Sequence, residues 1–263
     1  MVYDCFQFFN EFDALEIRLE ELYPLVDKFV LCESTMTHNG KPKELKFAQN
    51  KDRYSKYLDK INYVLYDKFP DKIEYWTLEN DQRRYMIQGI DMDNLQDTDI
   101  IMVSDVDEIP KRSYLKRLIN NFTYDKTVTI CHKLFYGKIN YQVIEPRMHQ
   151  NWGGTVVIPG KFFKQIPDMQ YHRNLKDNWV RFTDTGSWHF SYMGTSQDII
   201  DKVASYVHNE WDRKEVLDNI ANNVNNIKDP LGRPEFILKK VDIDSSYPEA
   251  IKNNLDKFGL LYA

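Results

Sequence analysis

The sequence has few of the residues that mark several common protein classes. It contains three cysteines among 263 residues, Cys5, Cys32 and Cys131, and no CxxC pair. A scattered, odd-numbered set argues against both a disulfide scaffold and a cysteine zinc site. Each cysteine lies in an apolar stretch, so we predict buried free thiols.

Basic residues are too few for a broad nucleic-acid surface. Lys and Arg total 35 against 40 Asp and Glu, which gives a formal net charge of -5 and a pI near 5.7. Proteins that bind nucleic acids concentrate an excess of basic charge on one face. The sequence therefore predicts no nucleic-acid partner, although a local basic pocket for a diphosphate is compatible with this balance.

Long apolar runs are missing as well. No run approaches the roughly 20 apolar residues that a membrane-spanning helix needs, so we predict no transmembrane segment. Residues 1–5 lack the basic and apolar regions of a signal peptide. Together with the mean hydropathy of -0.59, these features predict a soluble protein of the cytoplasm.

What the chain does contain is an alternation of strand-like and helix-like segments. Apolar runs predict strands at residues 2–9, 28–32, 61–65, 99–104, 127–135 and 155–158. Such alternation is typical of an α/β fold, with a largely parallel central sheet flanked by helices. We interpret residues 1–263 as a single domain with a helical C-terminal part beyond about residue 195.

Helices are predicted where apolar residues recur three or four positions apart. This spacing is found at residues 12–22, 115–122 and 217–227, and residues 81–90 and the segment after Pro248 also favour helix. Thr195 and Asp198 predict a capping box ahead of a helix whose apolar face carries Ile199, Ile200, Val203 and Val207. Residues 34–57 are long, polar and rich in Lys, which predicts a mobile loop over a site.

An acidic cluster, Asp105-Val106-Asp107-Glu108, directly follows the apolar strand 99–104. Open α/β folds bind ligands at the carboxyl ends of their strands. Acids packed together repel each other, and Mg²⁺ or Mn²⁺ can neutralise them while bridging to a diphosphate. We therefore predict Asp107 as a direct metal ligand, Asp105 as a contact to the metal or a ribose, and Glu108 as support behind both.

The acidic cluster is also compatible with three alternatives. Acids after a strand can cap the following turn without binding anything. Phosphohydrolases of the haloacid-dehalogenase type also begin with a strand and DxD, but they favour Thr or Val where this chain has Ile109, and their motif usually lies near the N-terminus. A non-catalytic module that binds nucleotide sugars or glycans is the third alternative.

Several ordered blocks resemble glycosyltransferase family 17, the β-1,4-mannosyl-glycoprotein 4-β-N-acetylglucosaminyltransferase family. The blocks span almost the whole chain and keep the order of the family. They are NEFD at 10–13, VDKFV at 26–30, CES at 32–34, GKPKELKF at 40–47, DKFP at 67–70, DVDEIP at 105–110, LFYG at 134–137, WH at 188–189 and YPE at 247–249.

The resemblance implies a GT-A fold, a UDP-GlcNAc donor, a glycan acceptor and inversion at the anomeric carbon. It also implies which residues contact the donor. Asn10 and Glu11 follow the first strand, although Asn10 could instead be a helix N-cap. Glu33 ends the second strand and could make a structural hydrogen bond instead. Asp81 and Arg84 precede the acidic strand, where Arg84 could bind a phosphate or pair with a surface acid.

The later blocks imply further site residues. Gly153 and Gly154 would let the backbone approach the donor sugar, although a tight turn explains them equally well. His189 would be the third ligand of Mn²⁺ or Mg²⁺, beside Asp105 and Asp107, or else a packing residue. Trp188 would stack on a sugar ring or lie in the core.

Inverting transfer also requires a general base near the acceptor hydroxyl. Asp184 and Glu210 flank the WH block and are the predicted bases, with Asp177 as a third candidate. Each could equally be an ordinary surface acid.

Overall fold

The computed structural model describes residues 1–73, 76–206 and 210–258. In these residues one mixed sheet contains the strands β1 (Val2–Phe8), β2 (Lys28–Ser34), β3 (Ile61–Tyr66), β4 (Ile100–Asp105), β5 (Glu108–Ile109), β6 (Val128–Tyr136), β7 (Tyr141–Glu145), β8 (Trp152–Pro159), β9 (Val180–Ser191) and β10 (Ile237–Lys240).

The helices lie between these strands and beyond them. They are α1 (Phe12–Leu22), α2 (Lys46–Asn50), α3 (Thr77–Tyr85), α4 (Arg112–Asn120), α5 (Gly160–Gln165), α6 (Met169–Asn174), α7 (Ser196–Ser205), α8 (Lys214–Leu217), α9 (Ile220–Asn225) and α10 (Glu249–Lys252). Segments of 3₁₀-helix are formed by Lys51–Lys60, Met86–Gly89 and Arg147–Asn151. Within the described residues, no helix is both long enough and apolar enough to cross a membrane.

The strand order is β10-β7-β6-β8-β4-β1-β2-β3, and β9 pairs with both β6 and β5. The half that contains β3, β2, β1 and β4 is parallel, as predicted. The other half is antiparallel apart from the β6–β9 pair. The α/β prediction is therefore confirmed, but the sheet is mixed rather than largely parallel, because short connections such as that from β6 to β7 allow antiparallel neighbours.

Helices cover both faces of the parallel half. On one face, Leu15 and Leu19 of α1 and Leu115 of α4 pack into the same cluster as Phe6 of β1. On the other face, Phe163 of α5 belongs to a second buried cluster. Strands buried on both faces read as continuous apolar runs, which is why the sequence predicted β1, β2 and β4 well.

Other predicted elements differ from the structure. The helix predicted at residues 81–90 begins four positions earlier, at Thr77, and ends in a 3₁₀ turn. The predicted loop 34–57 contains α2 and part of a 3₁₀-helix. The capping box of Thr195 and Asp198 is confirmed at the start of α7, whereas Val207 lies outside the described residues.

A buried arginine joins α1 to the sheet. Arg18 is fully buried, and its guanidinium forms an ion pair with Asp4 of β1. One of its terminal nitrogens, Nη1, donates to the carbonyls of Asp105, Val106 and Glu108 at 2.9, 3.3 and 2.9 Å. These carbonyls belong to the acidic turn after β4, so Arg18 fixes the main chain of that turn.

We expect Arg18→Met to lower the free energy of unfolding by about 3–5 kcal/mol, because it leaves the Asp4 carboxylate buried without its cation. Urea unfolding followed by circular dichroism measures this change. The matched control is Arg147→Met, whose side chain is 88% exposed and whose loss should change stability by less than about 0.5 kcal/mol. Equal stabilities of the two variants would contradict the role given to Arg18.

Candidate functional site

The acidic turn lies at the carboxyl end of β4, beside a strand that the sequence did not predict. Glu108 of β5 pairs with His189 of β9 in the antiparallel register. The backbone N–H of Phe190 donates to the carbonyl of Asp107 at 2.9 Å. Because of this register, β9 places His189 directly beside the acidic turn.

Asp107 is the buried centre of one group of charges. His189 Nε2 lies 3.4 Å from its Oδ1 atom, and Lys202 Nζ of α7 lies 3.1 Å from its Oδ2 atom. Burial acts to raise the pKa of Asp107, but Lys202 and His189 hold the pKa well below its usual range. Burial likewise opposes protonation of Lys202, yet Asp107 and Glu11 raise its pKa well above the usual value. Both groups are therefore charged at neutral pH.

Asp105 belongs to a second group of charges. Its two carboxylate oxygens accept hydrogen bonds from Arg83 of α3 and Arg173 of α6, each at 3.0 Å. Arg173 also donates to Glu108 at 2.8 Å, and the Trp152 indole N–H donates to the same oxygen at 2.7 Å. Although burial acts to raise the pKa of Asp105, Arg173 and Arg83 hold it well below its usual range.

A cavity of about 300 Å³ opens over both groups, at the small end of the range for small-molecule sites. Its described lining has four carboxylates and three strongly basic side chains, together with aromatic rings. The acids are Glu11, Glu79, Asp105 and Asp107, the bases are Lys43, Arg83 and Lys202, and the rings are those of Phe8, Phe9, Trp76, Tyr136, Trp152, Tyr192 and Tyr206. A diphosphate entering this cavity would add negative charge to a lining that already has an excess of acids.

The residues fit a divalent cation only in part. Among the described residues no group of three or more His, Cys, Asp or Glu side chains is arranged to hold a metal. The predicted set of Asp105, Asp107 and His189 stays a prediction, and both oxygens of Asp105 are already bound by arginines. Asp107 and His189 do lie together, and a carboxylate with an imidazole is a donor set that suits Mn²⁺.

The residues predicted after the first two strands are placed differently. Glu11 lines the cavity, where it forms an ion pair of 2.9 Å with Lys202. Asn10 does not cap α1 with its side chain; its amide donates to the Asp198 carbonyl beside a smaller cavity. Glu33 is fully buried and accepts the backbone N–H groups of residues 47 and 48 at the start of α2.

Asp81 and Arg84 lie at the surface, where Arg84 also pairs with Asp168. The neighbouring Arg83 points into the cavity instead. Trp188 is buried in the core and stacks on Phe190. Asp81, Arg84 and Trp188 thus make ion-pair and packing contacts outside the cavity.

The two glycines at the start of β8 lie close to other side chains. A Cβ atom on Gly154 would come within 2.2 Å of the His132 ring. The carbonyl of Gly154 accepts a hydrogen bond from Arg173. A Cβ atom on Gly153 would lie 3.2 Å from Asp177. Gly154 therefore lets β8 approach His132 and the arginine that holds Asp105.

The predicted general bases are both exposed. Asp184 lies on β9 in a left-handed conformation (φ 53°), and Glu210 lies beyond α7. Asp184, Glu210 and the third candidate, Asp177, are not among the described residues that line the cavity. Their role as bases stays a prediction, and a general base has to reach the acceptor hydroxyl.

Three cations at this site were not identified from the sequence, namely Arg83, Arg173 and Lys202. Arg83 was visible as part of a basic helix, but the helix orientation decides which arginine faces inward. Arg173 and Lys202 lie far from the acidic cluster in sequence, and no local pattern marks them. Only the fold brings them to the carboxylates.

The mixed α/β sheet, with paired acids and a facing histidine at the end of a central strand, agrees with the glycosyltransferase class that the resemblance implies. The chain belongs to glycosyltransferase family 17, whose model matches residues 1–253. The predicted family is therefore confirmed. Membership of this family argues against the phosphohydrolase interpretation of the acidic cluster.

Relatives with known names cover only part of the chain. Human β-1,4-mannosyl-glycoprotein 4-β-N-acetylglucosaminyltransferase is 36% identical over 109 residues, which cover 39% of this chain and 20% of that protein. The chain thus spans about a fifth of the length of this relative. Staphylococcus aureus TarS is 12% identical with a TM-score of 0.40, over 77% of this chain and 63% of that chain. Glucosyl-3-phosphoglycerate synthase from Mycobacterium tuberculosis is 10% identical with a TM-score of 0.41, over 96% and 92%.

The buried His132 beside Gly154 predicts a pH-dependent stability. Burial lowers its pKa to about 3, although Glu108 partly opposes this shift. A histidine in the unfolded chain binds its proton near pH 6.5. The contribution of neutral His132 to the free energy of unfolding is therefore complete above that pH and is lost as the pH falls towards 3. The part of this contribution that is lost between pH 7.5 and 5.0 is about 2 kcal/mol.

When the pH is lowered from 7.5 to 5.0, we expect the free energy of unfolding of His132→Gln to fall by about 2 kcal/mol less than that of the wild type. Urea unfolding at pH 7.5 and 5.0 measures the difference. Parallel losses in both proteins would show that His132 is protonated as readily in the folded as in the unfolded chain.

Proposed function

We propose that the protein transfers N-acetylglucosamine from UDP-GlcNAc to a glycan acceptor, with inversion at the anomeric carbon and with a divalent cation. The observation that carries this proposal is the placement of Asp107 and His189 at one edge of a cavity in a family 17 chain. The sugar is suggested by the human relative, which is named as a 4-β-N-acetylglucosaminyltransferase.

The charge of the cavity supports a cation that accompanies the donor. The described lining has four carboxylates and three strongly basic groups, and a UDP-sugar brings a further negatively charged diphosphate. Asp107 and His189 would hold Mn²⁺ or Mg²⁺, which when bound acts as a Lewis acid for the departing nucleoside diphosphate. Oxygen and imidazole ligands suit these ions.

The remaining residues would position the substrates. Arg83 and Arg173 hold Asp105 in place from two sides, which leaves this carboxylate at the cavity wall for a hydroxyl of the donor. Trp152 is held by its hydrogen bond to Glu108 and presents its ring in the lining, where flat rings suit sugar C–H faces. Holding donor and acceptor in line supplies a large part of the rate acceleration in such enzymes.

We expect purified protein to release UDP from UDP-GlcNAc in the presence of Mn²⁺, and Asp107→Asn to reduce this rate by about a hundredfold or more. Loss of the metal ligand removes several kcal/mol of transition-state stabilisation. A UDP-release assay measures the rate, and circular dichroism verifies that the variant is folded.

Two results of this assay would contradict the proposal. Full activity in the presence of a chelator would exclude the divalent cation. UDP binding without turnover of any nucleotide sugar would favour the non-catalytic binding module. Asp184→Asn and Glu210→Gln, assayed for transfer to a glycan acceptor, test the predicted bases, since loss of the true base greatly slows transfer.

Two neighbouring arginines provide a matched test of which helix face serves the site. Arg83→Met should reduce UDP-GlcNAc turnover by about tenfold or more, because the side chain lines the cavity and holds Asp105. Arg84→Met should leave turnover within about twofold, because Arg84 pairs only with acids at the surface in the contacts described. The reverse order of effects would place the donor on the other side of α3.

A further inference from the structure

Lys202 lies where it competes with a metal for Asp107. Its side chain is 11% exposed, and its ammonium bridges Glu11 Oε1 at 2.9 Å and Asp107 Oδ2 at 3.1 Å. It belongs to α7, which begins at the capping box of Thr195 and Asp198. The two acids and the lysine come from three separate parts of the chain, so this pair of bridges is built by the fold.

A divalent cation and the ammonium repel each other at this site. The His189 ring lies next to one oxygen of Asp107 and Lys202 next to the other, so an ion between Asp107 and His189 would be only a few ångströms from Lys202. Like charges at such distances in a buried site are strongly unfavourable. Before a metal binds tightly, Lys202 must therefore find another anionic partner.

A nucleoside diphosphate would supply that partner. Lys202 already lines the cavity, so a diphosphate bound there is within the reach of its long side chain. Glu11 would keep two hydrogen bonds, because its Oε2 atom accepts the backbone N–H groups of Phe9 and Asn10 at 3.0 and 3.1 Å. Asp107 would exchange the ammonium for the metal, so this buried carboxylate keeps a positive partner.

We propose that Lys202 is an internal counter-ion of Asp107 that opposes metal binding until a nucleoside diphosphate takes over its ammonium. Metal and nucleotide then bind cooperatively, each raising the affinity for the other by the same factor. The inference rests on the proposed function, because it assumes that the cavity receives a nucleoside diphosphate.

The test is to titrate the full chain with Mn²⁺, with and without UDP. Electron paramagnetic resonance of free Mn²⁺ measures the affinity. For the wild type we expect weak binding alone and an affinity about tenfold or more higher with UDP. Lys202→Met should bind Mn²⁺ alone about tenfold more tightly than the wild type, and UDP should then add much less.

Two variants serve as controls. Lys202→Arg keeps the positive charge, so its affinity for Mn²⁺ alone should remain as weak as that of the wild type. Lys43→Met removes another cavity lysine, which lies 3.8 Å from Glu33 rather than beside Asp107, and should also leave this affinity unchanged. If Lys202→Met does not fold, Lys202→Gln takes its place, because its neutral amide is polar and carries no charge.

Two outcomes would overturn the inference. In the first, the neutral Lys202 variant binds Mn²⁺ alone no more tightly than the wild type does. In the second, no variant binds Mn²⁺. Failure of the proposed function has a different signature. In that case UDP changes no affinity, while removal of the Lys202 charge still strengthens the binding of Mn²⁺ alone.

Discussion

The site depends on the contact between Arg18 and the backbone of the acidic turn. Arg18 donates to three carbonyls of residues 105–108 from inside the protein, and Asp4 neutralises its charge. Buried carbonyls without partners would be costly, and water has no access here because the guanidinium is fully buried. One side chain of α1 thus satisfies a turn that follows β4 and sets the direction in which its acids point.

Because the main chain of the turn is fixed, its side chains are separated into two groups. Asp105 is directed towards Arg83 and Arg173, whereas Asp107 is directed towards His189 and Lys202. The acids therefore do not form one cluster that waits for a cation. Each carboxylate already has a positive partner, and any incoming ion or diphosphate has to rearrange these pairs.

The parts of the fold that the sequence predicted are those with a local signal. The apolar runs of β1, β2 and β4 are buried on both faces, and α1 repeats its apolar residues at helical spacing. β9 was missed because polar residues, the left-handed Asp184 and Gly186 interrupt its pattern. That strand is stabilised by pairing with β6 and β5, which no local pattern records.

The same distinction separates the acids of the site from its cations. The acids were predictable because they follow one another directly after a strand. Their partners are 22, 68 and 95 positions away in sequence, from Arg83 and Arg173 to Asp105 and from Lys202 to Asp107. The sequence motif therefore identifies the acids of the site, but not the cations that pair with them. If the site binds a divalent cation as proposed, these cations would have to give way to it, so its affinity for the ion would depend on tertiary contacts and not on the two acids alone.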